Sequence, residues 1–131
     1  MSNPACPSPA PVVHFEIGCQ SLESTRKFYG EVFGWEYTSG MPNMAMVSNL
    51  GGHVEPKTAG IGGHISALGH PPHQYVLFYI LVDDIEKTLS QIESRGGSTL
   101  VPKQEVPQMG WFAWFKDPEG NVLGLWKAMG M

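Results

Sequence analysis

Charge is scarce in this chain. Asp, Glu, Lys and Arg together make up 15% of the 131 residues, and the eight Lys and Arg never gather into a block. A nucleic-acid-binding surface neutralises phosphates with clustered basic side chains, so no nucleic-acid partner is expected. An anionic membrane surface is disfavoured on the same ground. Long apolar runs are missing too, and nothing approaches the roughly 20 residues that a bilayer-spanning helix requires. The opening stretch MSNPACPSPAPVV carries four prolines and no apolar segment, so no secretory signal is read there. Two cysteines, Cys6 and Cys19, are too few for a disulfide framework. Reduced thiols and a cytoplasmic location are the expectation. No phosphate-binding loop is present, because AGIGGH (59–64) lacks both the lysine and the downstream helix. No Ser/His/Asp arrangement is suggested either.

What the chain does have is apolar material, 42% of its residues, enough for a sizeable core. Its length suits one domain, since domains cluster at about 100–150 residues. Residues 1–11, rich in Pro and Ser, read as an unstructured arm. VVHFEIGC (12–19) then reads as a strand from its Val and Ile content. In SLESTRKFYGEVFGW, residues Leu22, Thr25, Phe28, Tyr29 and Val32 fall at helical spacing. Ser21 suits the helix N-cap, and Gly34 a left-handed C-terminal turn. Short strands are predicted over Trp35–Ser39, Met44–Asn49 and Gly62–Leu68.

After Gly69–His73, which contains Pro71-Pro72 and reads as a linker, the pattern restarts. YVLFYILV (75–82) is a strand, and DDIEKTLSQIESRGG is a helix with Ile85, Leu89 and Ile92 on one face. Thr99–Pro102, Gly110–Lys116 and Val122–Lys127 are predicted strands, the last two flanking the turn sequence DPEGN (117–121). Shifting the chain by 63 positions places Phe15 on Phe78, Ile17 on Ile80, Glu23 on Glu86, Thr25 on Thr88 and Gly34 on Gly97. Together with the common order of strand, helix and three strands, these matches point to an internal duplication. The expected organisation is a single domain over 12–131, with one module at 12–69 and a second at 70–131.

HFEI followed by STRKFYGEVFGW, then VDDIEKTLSQIESRGG and DPEGNVLGLW, resembles the vicinal oxygen chelate superfamily, in particular its short glyoxalase-like members. The resemblance covers residues 12–128. It implies an α+β fold of two βαβββ modules, whose curled four-stranded sheets enclose a cleft. It also implies a homodimer.

Alternation along the strands assigns faces without the family. Phe15 and Ile17 should pack under the first helix, turning His14 and Glu16 to the other side. Phe78, Ile80 and Val82 should lie under the second helix, with Leu77, Tyr79 and Leu81 opposite. The DPEGN turn pairs Lys116 with Val122, Trp114 with Gly124 and Phe112 with Trp126. The expected ligand-binding residues are therefore His14, Glu16, Tyr79, Phe112, Trp114 and Trp126, an apolar wall with few polar groups that suits a small molecule.

In metal-dependent members of the resembling family, four donors from the first and last strands of each half meet a divalent ion. Carried over singly, His14 can ligate, Leu77 and Gly124 cannot, and His64 stands near the fourth position. No cofactor is expected. A divalent ion held by His14, Glu16 and His64 is the alternative. His70 and His73 read as exposed loop histidines. Cys19, just before a helix start, reads as a small half-buried residue, and Met41, Met44 and Met46 as packing. Three functions follow: a metal-free binder of a small, partly apolar molecule, as the bleomycin-resistance proteins are; a lyase, isomerase or dioxygenase acting on a small oxygenated substrate; or an assembly protein with a filled cleft.

Overall fold

A computed structural model describes residues 9–39, 41–48 and 60–130. Cys6, Gly40, Asn49 and most of the Pro-rich arm lie outside the described residues. The element order is β1 (Val12–Gly18), α1 (Leu22–Phe33), β2 (Glu36–Ser39), β3 (Met44–Ser48), β4 (Gly62–Ser66), β5 (Tyr75–Leu81), α2 (Ile85–Ser94), β6 (Ser98–Val106), β7 (Gly110–Lys116) and β8 (Val122–Ala128). This is the βαβββ order, twice. The described residues form two compact units, one running from His14 to Phe78, the other from Tyr79 onward together with the residues before His14.

In the first unit the strands lie in the order β2-β3-β4-β1. β1 runs parallel to β4, with His14 opposite Gly62 and Glu16 opposite His64. Ser21 caps α1 by accepting from the Ser24 N–H at 3.2 Å, and Gly34 closes it in the left-handed region at φ 73°. Phe15 and Ile17 of β1 pack with Leu22 and Tyr29 of α1 around Cys19, Val47 and Ile65. Ile65 is fully buried. The helix itself departs from the expected apolar stripe, because Phe28 and Val32 are 55% and 57% exposed. Leu22 and Tyr29, two turns apart, define its inner line. Phe28 and Val32 sit off that line.

The second unit repeats the arrangement as β5-β8-β7-β6. β5 runs parallel to β8, with Tyr79 opposite Gly124. The β7–β8 hairpin has the register that the DPEGN turn dictates, including Trp114 opposite Gly124 and Phe112 opposite Trp126. The turn is held by Asp117, which accepts from the backbone N–H groups of Glu119 and Asn121, both at 2.9 Å. Asp84 caps α2 by accepting from the Lys87 N–H at 2.9 Å. Ile85 and Leu89 of α2 join Ala113, Phe115 and Leu125 in the core, with Ile80 and Val82 packed beside them. Phe78, expected under this helix, is 40% exposed instead. The α2 core reaches only the end of β5 that carries Ile80 and, just beyond it, Val82. β6 also exceeds its expected Thr99–Pro102 span. It continues through Pro102 to Val106 by means of register shifts between Thr99 and Gln104, as a bulged strand allows.

Candidate functional site

The first unit builds a polar array on the sheet face opposite α1. Phe15 and Ile17 occupy the helix side, so alternation turns His14 and Glu16 away from it. The parallel register sets His64 beside Glu16, and Ser66 two residues further along β4. Gly62, opposite His14, has no side chain, and the His64 ring reaches toward His14. His14 Nε2 lies 2.7 Å from His64 Nδ1. His64 Nε2 lies 3.2 Å from Glu16 Oε1. Tyr75, the first residue of β5, donates its hydroxyl proton to Glu16 Oε2. The Ser66 hydroxyl is a further partner of the Tyr75 phenol.

Glu16, His64 and Ser66 are 4%, 9% and 6% exposed. A carboxylate so far from water is expensive unless it is paired. Here both of its oxygens have partners, Tyr75 at one and the His64 ring at the other. Burial, aided by the neighbouring His64, lowers the His14 pKa to about 4, against an opposing pull from Glu16. His14 is therefore a neutral imidazole at neutral pH. Burial also raises the Tyr75 pKa far above the ordinary tyrosine value, reinforced by the hydrogen bond to Glu16, so the phenol keeps its proton and acts as a donor.

Of the residues expected at the site, His14, Glu16 and His64 are thus joined in one hydrogen-bonded array. Tyr79, Phe112, Trp114 and Trp126 belong to the other unit, on neighbouring strands. The Trp114 indole N–H donates to the Tyr79 hydroxyl at 2.9 Å, and both residues are buried. Phe112 and Trp126 are a half-buried cross-strand pair. Tyr75 and Ser66 were missed. Alternation from Leu77 and Tyr79 already places Tyr75 on their face of β5, but nothing in the sequence ties it to Glu16.

The donors do not fit the four-ligand metal set that the resemblance implies. Leu77 has no donor atom. Gly124 has none either, and the Tyr79 ring occupies the place a Cβ would take there. His64 meets His14 through one ring nitrogen and Glu16 through the other. Among the described residues, no three His, Cys, Asp or Glu side chains are disposed to hold an ion.

The remaining candidates lie elsewhere. His70 is exposed and its Nδ1 is 2.9 Å from the Pro71 carbonyl. His73 is half-buried rather than exposed, and its Nδ1 has no partner among the described residues. Cys19 is only 7% exposed, more enclosed than expected. It borders an open groove of about 440 Å³ at the start of α1, together with Gly18, Ser21, Thr25, Tyr29 and Gln74. Ser21 is already committed there to capping the helix, and the Thr25 hydroxyl donates to the Ser21 carbonyl.

Comparison with known proteins agrees with the architecture. Putative glyoxylase CFP32 of Mycobacterium tuberculosis (strain CDC 1551 / Oshkosh) is 27% identical over 113 residues, which is 80% of this chain and 41% of that protein. The chain thus spans less than half of that relative's length. A glyoxylase-like domain-containing protein of Didymella fabae is 29% identical, over 82% of this chain and 85% of its own. Among solved structures, a Streptomyces coelicolor methylmalonyl-CoA epimerase in complex with 2-nitronate-propionyl-CoA has a TM-score of 0.65 at 13% identity, covering 95% of this chain and 98% of its own. A superfamily member from Vibrio splendidus 12B01 has a TM-score of 0.58 at 17% identity, covering 92% and 100%. Residues 12–125 match the family described as Glyoxalase/Bleomycin resistance protein/Dioxygenase superfamily, and the chain belongs to it.

Proposed function

We propose that this protein binds a small oxygenated molecule at the His14–His64–Glu16 array and transfers a proton to or from it without a resident metal ion. The observation that carries this reading is the array's continuity. A neutral histidine, a second histidine and a carboxylate are linked in series at 2.7 and 3.2 Å. Such a series moves a proton to the ring that Glu16 pairs, so that no buried charge is left unbalanced. A proton reaching His14 releases the one His14 Nε2–H shares with His64, and the positive charge comes to rest beside Glu16. His14 is then a base that need not remain charged. Positioned acid–base groups of this kind contribute typically 10²–10⁴-fold to rate.

The test uses protein dialysed against a chelator, with hydroxyacetone in D₂O as the probe and proton NMR as the readout. Deuterium incorporation next to the carbonyl should exceed the buffer background, persist with the chelator and be lost in His14→Asn. Exchange that appears only on adding a divalent metal would overturn the metal-free reading. A purely binding function is favoured by one feature, the pairing of His14, His64 and Glu16 with one another and with Tyr75. It predicts saturable perturbation of the His14 resonances by hydroxyacetone with no exchange above background.

A further inference from the structure

We propose that Tyr75, seated on Gly18, is the positioning residue of this array. It holds the Glu16 carboxylate so that His64 keeps its proton on Nε2 and turns Nδ1 to His14. The inference rests on the acid–base reading above, but its test does not use turnover. Glu16 is pinned through Oε2 by the Tyr75 hydroxyl, leaving Oε1 toward His64 Nε2 at 3.2 Å. A carboxylate has no proton to give, so the hydrogen at that contact belongs to His64. In neutral His64, Nδ1 is then bare and accepts the His14 Nε2–H across 2.7 Å. In cationic His64, Nδ1 carries a proton and the same contact runs in the opposite sense. The Nε2 proton stays in place in both states.

The phenol itself is located by the backbone. The Tyr75 ring covers Gly18, and a Cβ on that residue would overlap it. Gly18 stands opposite Ser66, whose hydroxyl is a partner of the phenol. Ring seat and hydroxyl partners therefore come from adjacent positions of β1 and β4, the strands that carry Glu16 and His64. A larger residue at 18 would shift the phenol without removing its oxygen.

The test is long-range proton–nitrogen correlation NMR on ¹⁵N-histidine-labelled protein at pH 7.5. Wild type should show His64 protonated on Nε2. A wild-type spectrum with Nε2 bare and the proton on Nδ1 would overturn the proposal with no variant needed. In Tyr75→Phe, with circular dichroism unchanged, the His64 Nδ1 shift should move toward the protonated range as the released carboxylate turns. Gly18→Ala should move it the same way with the phenol still present. Unchanged His64 shifts in folded Tyr75→Phe would also overturn the proposal. If the shifts move as expected while wild type fails to exchange deuterium into hydroxyacetone, the positioning role stands and the acid–base function falls.

Discussion

Replacing His14 with Asn should flatten the acid limb of the stability–pH curve. In the folded chain burial and His64 lower the His14 pKa to about 4, against 6.5 for an unperturbed histidine. As pH falls from 6.5 toward 4 the unfolded chain takes up a proton that the folded chain refuses, so stability drops. Above that window both states are neutral, and below it both are charged, so His14 contributes no further slope. The full difference corresponds to about 3 kcal/mol, taking 1.36 kcal/mol per pH unit. His14 is only half-buried, and solvent screening reduces this to about 1–2 kcal/mol. Urea denaturation of wild type and His14→Asn at pH 7.5, 6, 5 and 4 measures it. Wild type should lose about 1–2 kcal/mol more than the variant over that range. The His14 ring resonance, assigned by its absence in the variant, should titrate close to pH 4. Equal slopes in the two proteins, or a midpoint at 6 or above, would refute the argument.

Three further outcomes follow from the packing. Ile65→Ala, at a fully buried site, should cost about 2–5 kcal/mol in urea denaturation, and a loss below about 1 kcal/mol would contradict the core assignment. Gly124→Ala should destabilise by about 1–3 kcal/mol because the new Cβ meets the Tyr79 ring; Tyr79→Leu should recover part of that in a double-mutant cycle, and strict additivity would show that the ring is not the obstacle. Self-association, expected from the family resemblance, would cover the exposed Phe28, Val32 and Phe33 of α1, and a monomer mass by light scattering at micromolar concentration would refute it.

Much of the fold was legible because it is written in short-range terms. The alternation of Phe15 and Ile17 with His14 and Glu16, the Ser21 and Asp84 caps and the DPEGN turn each depend on a few neighbouring residues. They determined the two βαβββ repeats, the face on which His14 and Glu16 stand and the β7–β8 register. The tertiary structure decided what lies between distant strands. The parallel register of β1 and β4 puts His64 against Glu16 across 48 positions of sequence, and no local pattern encodes which residues of two parallel strands stand opposite. Tyr75 joined the array for the same reason: its parity was readable, but its hydrogen bond to Glu16 needed the Gly18 seat. Phe78 failed for a related one, since periodicity gives a side chain's face and not how far the opposing helix reaches. A sequence period is a local property, whereas pairing depends on how separate elements fill space together, and the His14–His64–Glu16 array depends on that pairing.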